Sequence, residues 1–222
     1  MEEYFSVPLT VARRKISGLR DSLVASSVWR PEFKKSLETY PELDLSQLDF
    51  AVPQCDACHL GSRVSTIQGR LSGSPYDRFG FKVSRPIHLS ITWALMNSQA
   101  THKFDAEEDS DSSKEPSGPQ REFSFGRFCA KRARVYHALT HWEYAVFTSV
   151  LEEVTALRSG TGYIRVDYGG TSLEQPEDME DADGICEWLD KRKKIDMEWQ
   201  LLKKKMDDAR HLEMAVKRGE DD

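Results

Sequence analysis

The chain has 222 residues, of which 39% are hydrophobic and 31% charged, and its formal net charge is −6. It is less apolar and more charged than an average globular chain, so we expect one domain with parts that lie outside a packed core. No window approaches the roughly 18 apolar residues that a membrane span needs, and four cysteines without a secretory signal argue against a disulfide framework.

The negative charge is concentrated in a few stretches. Six acids lie within residues 105–115, six more within 174–183, and three at the end of the chain. Without these acids and the one lysine among them, the rest of the chain carries about +8. A basic body with acidic attachments is compatible with a nucleic-acid partner.

The first third of the chain is predicted to contain two helices and a strand. One helix is expected over residues 8–25. A second helix is either capped by Ser27 or has Pro31 in its first turn, and it ends before Pro41, since proline restricts the residue before it. Residues 64–71 are predicted to form a strand, and 72–77 have the composition of a turn.

The middle of the chain alternates between ordered patterns and a polar insert. Apolar residues at odd positions over 86–96 predict a strand. Residues 103–122 are rich in Ser, Pro and acids and are predicted to be a disordered acidic insert, because they cannot bury enough apolar surface to offset their ordering entropy. Residues 127–157 then predict a helix with one apolar stripe, and 164–168 a short strand.

The C-terminal region is predicted to be an acidic linker over 171–183 and a long amphipathic helix over 184–218. Apolar residues of this helix step by 7, 4 and 3, as in a coiled-coil seam. They are the candidate partner-binding residues Trp188, Ile195, Trp199 and Leu202.

Two pairs of residues have the spacing of zinc ligands. Cys55 and Cys58 offer two thiolates on a tight turn, and His137 and His141 offer two imidazoles on one helix face. Together they form the C-x2-C plus H-x3-H set of a structural zinc site. Because 78 residues separate Cys58 from His137, we interpret the ion as a cross-link between segments of one domain that are distant in sequence.

Cys129 is an alternative ligand. In a continuous helix it would lie about 12 Å from His137 at 1.5 Å per residue, too far for both to bind one zinc ion. If the helix begins after Cys129, a site of three cysteines and one histidine becomes possible. The simplest competing interpretation is that the cysteines are buried thiols and the histidines line the core.

The ligand set does not suggest catalysis. Four protein ligands would close the zinc shell, whereas a catalytic site leaves one position open. The H-x3-H lacks the Glu that follows the first His in metalloproteases, and we find no phosphate loop or nucleophile elbow. We therefore expect no enzyme and no small-molecule substrate.

A basic cluster at the start of the 127–157 helix is the candidate nucleic-acid contact. Arg127, Lys131 and Arg134 share one helix face and could bind phosphates. A solvated helix face is the simpler interpretation of the same pattern.

Several stretches taken in order resemble the eukaryotic domain of unknown function 4211, over roughly residues 1–150. The resemblance implies a nuclear setting, because the domain is found in fungal proteins and in animal nuclear proteins linked to chromatin, and it keeps Cys129 beside the four proposed ligands. The stretches are Ser26-Ser27-Val28-Trp29, Cys55-Asp56-Ala57-Cys58, Gly73-Ser74-Pro75-Tyr76-Asp77, Gly126-Arg127-Phe128-Cys129 and His137-Ala138-Leu139-Thr140-His141-Trp142.

The combined prediction is a mainly α fold with a few short β-strands (α+β). A single zinc-braced domain would cover residues 1–170, followed by the linker and the long C-terminal helix. We expect a chromatin- or transcription-associated binding module in the nucleus, with a protein partner and possible DNA contact. The alternative is a protein-interaction scaffold that docks its partner through the C-terminal helix, without nucleic acid.

Overall fold

The computed structural model describes residues 2–58, 60, 63–83, 120–158, 176, 178 and 180–218, and the side chains of these residues except 2–4 and 213–218. The strands predicted at 86–96 and 164–168 lie outside the described residues. So do most of the predicted acidic insert and more than half of the predicted linker.

The described residues form helices and a small antiparallel sheet, which confirms the α+β class. The sheet has three strands in the order β1-β2-β3. The strands are β1 (Glu42–Pro53), β2 (Val64–Ser72) and β3 (Arg121–Phe125). The helices are α1 (Glu2–Leu19), α2 (Pro31–Thr39), α3 (Arg127–Thr140), α4 (Trp142–Arg158), α5 (Ala182–Lys191) and α6 (Lys194–Arg218), and a π-helical turn (Arg20–Val24) extends α1.

The contacts within the chain divide it into two compact units. The sheet unit is Val28–Ala130, with α2, the three strands and the first turn of α3. The helical unit combines Met1–Ser27 with Lys131–Asp222. The C-terminal helices therefore belong to the same unit as α1, although they are far from it in sequence.

The core of the sheet unit is built on Phe33 of α2. Its ring lies edge-on to the rings of Trp29, Phe123 and Phe125, with centroids 5.5, 5.1 and 5.7 Å away. Phe33 is fully buried, and burying a side chain of this size stabilises a fold by about 1.5–3 kcal/mol. Of the two starts that the sequence allowed, Ser27 as the cap or Pro31 in the first turn, the structure has the second, since α2 begins at Pro31.

Gly69 of β2 is required by the close approach of an aromatic ring. A Cβ at this position would lie 2.8 Å from Cε1 of Phe125, closer still to Cζ of the same ring, and 3.3 Å from Cδ2 of Leu45. The phenyl ring of Phe125 therefore lies directly over the glycine and covers the inner face of the sheet.

In the helical unit, charged side chains connect α1 and the π-helical turn to α3 and α4. Arg132 donates to the carbonyl of Val24 at 3.0 Å, one of the carbonyls left without a helical partner at the end of the turn. Arg13 forms an ion pair with Glu143 at 2.9 Å. The first helix begins at Glu2, earlier than the predicted start at Pro8, so that Pro8 lies inside α1.

The helix predicted over 127–157 is divided into α3 and α4 at His141. Backbone hydrogen bonding nevertheless continues through the junction, from the N–H of His141 to the carbonyl of His137 (3.0 Å) and from the N–H of Ala145 to the carbonyl of His141 (2.9 Å). The strand β3 begins at Arg121, so the last two residues assigned to the acidic insert are part of the sheet.

The single helix predicted over 184–218 is interrupted between α5 and α6. Lys193 has a φ of 60°, a left-handed conformation that cannot continue a right-handed helix. The change of direction allows Trp188 and Leu189 of α5 to pack with Leu157 of α4 in a buried cluster.

A polar cluster also connects α4 to α6. Nζ of Lys194 donates to Oγ of Ser149 at 2.7 Å and forms an ion pair with Glu198 at 3.2 Å, while Ser149 donates to Glu198 at 2.6 Å. All three polar groups are mutually satisfied in a largely buried position, which a buried charge requires.

None of the helices that the structure describes has both the length and the apolar character of a bilayer crossing.

Replacing Gly69 by alanine should destabilise the chain by about 1–3 kcal/mol, because the new methyl group must displace the ring of Phe125. Gly18→Ala is the matched control, since a Cβ there meets nothing within 4 Å and alanine stabilises a helix by up to about 1 kcal/mol over glycine. Urea denaturation of both variants tests the packing. Equal free energies of unfolding for Gly69→Ala and the wild type would contradict the described packing.

Candidate metal centre

Cys55 and Cys58 lie on a tight turn between β1 and β2. The turn begins at Gln54, whose φ is 71°. The hydroxyl of Ser65 donates to the carbonyl of Gln54 at 2.5 Å, and this bond holds the left-handed residue in place. The backbone therefore reverses immediately before the first cysteine.

Hydrogen bonds connect this turn to the neighbouring strand β3. The N–H of Asp56 donates to the carbonyl of Ser124 at 2.8 Å, and the N–H of Ser124 donates to Oδ2 of Asp56 at 2.7 Å. On the other side, the N–H of Arg30 donates to the carbonyl of Ala57 at 2.9 Å. Backbone hydrogen bonds on both sides therefore hold the turn.

Cys129 enters the same space from the first turn of α3. Its sulfur and those of Cys55 and Cys58 all lie within 4.8 Å of one another, and all three residues are buried. The three residues belong to the sheet unit. Three thiols this close can hold a metal ion, because thiolates are metal ligands and this group converges on one point.

Two of the three sulfurs, those of Cys55 and Cys129, are coupled through a hydrogen bond. The thiol of Cys129 donates a hydrogen bond to the sulfur of Cys55, and so do the backbone N–H groups of Gly126 and Ala57. Together these bonds lower the pKa of Cys55 to about 5, although its burial opposes the shift. The same bond to Cys55, with burial, raises the pKa of Cys129. The site therefore favours a thiolate at Cys55, with backbone donors already directed at its sulfur.

The spacing agrees with one tetrahedral ion. Ligand sulfurs at about 2.3 Å from such an ion lie about 3.8 Å from each other, which is within the 4.8 Å that bounds the separations in the described cluster. Sulfur donors select zinc, copper(I) or iron over calcium and magnesium, which prefer oxygen. The donor set therefore fits a soft or borderline metal ion.

The structure places the predicted ligands in two groups. Cys55 and Cys58 are brought together with Cys129, which the sequence offered only as an alternative. His137 and His141 are buried side chains of the helical unit, with ring centroids 4.6 Å apart. Among the described residues, no imidazole nitrogen or carboxylate oxygen joins the three sulfurs within 4.8 Å.

Because α3 is continuous, Cys55 and Cys58 can share an ion either with Cys129 or with His137 and His141, but not with both. Cys129 and His137 lie on the same helix, Arg127–Thr140, about 12 Å apart at 1.5 Å per residue. One ion cannot reach both. The ligand roles of His137 and His141 remain predictions, and the described geometry favours Cys129.

The candidate nucleic-acid residues are exposed on α3. Arg127, Lys131 and Arg134 lie at i, i+4 and i+7 of one continuous helix and face solvent. The neighbouring Arg132 does not share this face, since it is partly buried and donates to the carbonyl of Val24.

The candidate partner-binding residues are in different environments. Ile195 and Trp199 of α6 are exposed, with 50% of Trp199 accessible, and Leu202 is half-buried. Trp188 of α5 is buried in the cluster with Leu157. Trp188 therefore stabilises the helical unit, and the seam from 188 to 202 is not continuous.

Sequence reasoning missed the residues that support the cluster. Asp56 anchors the turn to β3. Because Asp in a turn commonly bonds to nearby backbone, its position inside C-x2-C could have indicated this role. Gly126 supplies a backbone donor to Cys55. Its spacing of three residues from Cys129 could not by itself indicate this role.

The comparisons with known proteins agree with the family resemblance. Residues 1–81 match the model of a family described as "Domain of unknown function (DUF4211)", a shorter range than the expected 1–150. An uncharacterized protein of the fission yeast Schizosaccharomyces pombe is a homologue, 28% identical over 145 residues. The alignment covers 64% of this chain but 19% of the yeast protein. No solved structure matches the chain.

Replacing Cys129 by serine should abolish metal binding, because serine removes one of the three converging sulfurs. Elemental analysis of the purified chain should find about one metal ion per wild-type chain and almost none in the variant. Cys186→Ser is the matched control, since Cys186 is the exposed cysteine outside the cluster. It should retain the full metal content.

The histidine variants separate the two ligand sets. If the three sulfurs are the ligands, His137→Ala and His141→Ala chains keep their metal ion. Metal loss in both histidine variants, together with full metal content in Cys129→Ser, would show that the three-sulfur set is wrong.

Proposed function

We propose that the chain is a non-catalytic binding module of the nucleus, braced by a structural zinc ion and able to contact DNA phosphates through α3. Cys55, Cys58 and Cys129 are the proposed zinc ligands. Arg127, Lys131 and Arg134 are the proposed phosphate contacts. The observation that carries the proposal is that a buried sulfur ligand and an exposed cationic face occur on the same helix.

The choice of zinc rests on the chemistry of the donor set. Structural zinc sites are closed and are built largely from cysteine thiolates. The three sulfurs are buried, and the backbone donors at Cys55 compensate part of the charge that three thiolates would concentrate. A zinc ion would neutralise the rest and remove the need for the thiols to share protons.

The zinc ion would fix the first turn of α3. Cys129 lies between Arg127 and Lys131 in sequence, so a metal bond at Cys129 restrains the helix from which both cations project. A rigid helix loses less conformational entropy when its cations bind phosphate. Among the described residues, Arg127 and Arg134 form no ion pair with an acid, which leaves their charge available.

The nuclear setting and the protein partner rest on the family resemblance. The chain resembles the domain of unknown function 4211, and that resemblance implies a place among chromatin-linked nuclear proteins. The basic body supports a polyanionic ligand. The absence of catalysis remains an expectation, which rests on the sequence, where we find no phosphate loop and no nucleophile elbow.

A protein-interaction scaffold is the second candidate. The exposed pair Ile195 and Trp199 lies one turn apart on α6, and exposed aromatic residues are enriched at interfaces. On this view the C-terminal helix docks a partner without nucleic acid.

Neutralising the α3 face should weaken binding to duplex DNA. In the triple variant Arg127→Gln, Lys131→Gln and Arg134→Gln, affinity should fall. The slope of log affinity against log salt should shrink by roughly 0.9 for each phosphate that the variant no longer neutralises. Fluorescence anisotropy at several salt concentrations measures both quantities.

The control removes the same charge elsewhere. Lys191, Lys203 and Lys204 are exposed residues of α5 and α6, and their triple replacement by glutamine should leave the salt slope nearly unchanged. If the control loses affinity and the α3 variant does not, the DNA contact lies on the C-terminal helices. If the wild type does not bind DNA in a salt-dependent way, the nucleic-acid proposal is wrong.

A further inference from the structure

The strand β1 has one edge that no other described strand covers. β1 pairs with β2 along one side only, and the order β1-β2-β3 makes it an outer strand. In an antiparallel pair, alternate residues direct their N–H and C=O groups away from the partner strand. β1 runs from Glu42 to Pro53, and over its regular part, Glu42 to Gln47, these groups form a row of donors and acceptors that no described strand uses, which is a template for a further strand.

The side chains along this strand are acidic and exposed. Asp44 and Asp49 face solvent, and neither forms an ion pair with a basic residue in the described part of the chain. Arg70 lies opposite Asp44 in the register of β1 and β2. Its guanidinium is directed instead to Glu122 on β3, at 3.0 Å.

The end of β1 nearest the cysteine turn is apolar and exposed. Phe50 is 84% accessible and lies where the register with β2 shifts, between Gln47 and Val52. Val52 and Val64 beside it are also exposed. A phenyl ring held this far out of the core, next to two exposed valines, is typical of a contact surface.

We propose that β1 binds an extended basic peptide as an additional strand. The peptide backbone would pair with the edge that no described strand covers, its lysine or arginine side chains would lie near Asp44 and Asp49, and an apolar side chain would pack on Phe50. Addition of a strand to a sheet edge is a common mode of peptide recognition, in which main-chain bonds give affinity and alternate side chains give specificity.

Charge decides between this ligand and a second copy of the chain. Two β1 strands side by side would bring the acids of both copies into one ladder, and like charges across a ladder are destabilising. A basic peptide converts the same acids into attractive partners. The proposal is independent of zinc identity and of DNA contact by α3.

Two synthetic octapeptides test the proposal against the full chain. One alternates valine with lysine, and the other alternates valine with glutamate. The lysine peptide should bind at least about tenfold more tightly by calorimetry, since its charges oppose those of β1. Hydrogen exchange should show new protection at amides within residues 42–53, where the added strand pairs.

Charge reversal and truncation of the ring provide the variants. Asp44→Lys with Asp49→Lys should invert the preference, so that the glutamate peptide binds more tightly. Phe50→Ser should weaken the lysine peptide without changing the preference. All of these residues are exposed, and an unchanged circular dichroism spectrum and metal content confirm that the variants fold.

Three results would overturn the proposal. One is that neither peptide binds saturably to the wild type. Another is binding that leaves the amides of β1 unprotected or keeps its charge preference after reversal, which places the ligand elsewhere. The third is self-association of the wild type with protection of β1 in the absence of peptide, which identifies a second copy as the natural occupant.

Discussion

The described structure of the sheet unit depends on burying three sulfur atoms within 4.8 Å of one another. The hydrogen bond between Cys129 and Cys55 and their burial shift the pKa values of these two thiols in opposite directions, so the pair competes for one proton. A metal ion would remove it by binding all three as thiolates. The turn after β1, strand β3 and the first turn of α3 are held in the geometry that brings the sulfurs together.

From this constraint follows a division of roles along the chain. Cys129 fixes the start of α3, and the exposed cations of that helix come immediately before and after it in sequence. β1 leads directly into the cysteine turn, so a rigid turn also fixes the end of the free sheet edge. The proposed DNA contact and the proposed peptide edge would each use a segment anchored at the cysteine cluster.

Local patterns in the sequence predicted the elements that depend on local physics. Pro31 and Pro41 delimited α2, and the polar–apolar pattern of β2 predicted its extent within one residue. The C-x2-C spacing identified the cysteine turn. The approach of Phe125 to Gly69 and of Cys129 to the turn could not be predicted in this way, because both depend on how strands distant in sequence pair. The left-handed Lys193, which divides the C-terminal helix, left no composition signal, since lysine is a good helix former.

X-ray absorption spectroscopy at the zinc edge of the purified wild-type chain distinguishes the two ligand sets without any substitution. We expect a shell of three sulfurs at about 2.3 Å and one lighter ligand, since Cys55, Cys58 and Cys129 would all bind the ion. A shell of two sulfurs and two imidazole nitrogens would contradict the three-sulfur site and would favour the set that includes His137 and His141. A chain that binds no zinc, when purified under reducing conditions with the ion present, would contradict both sets.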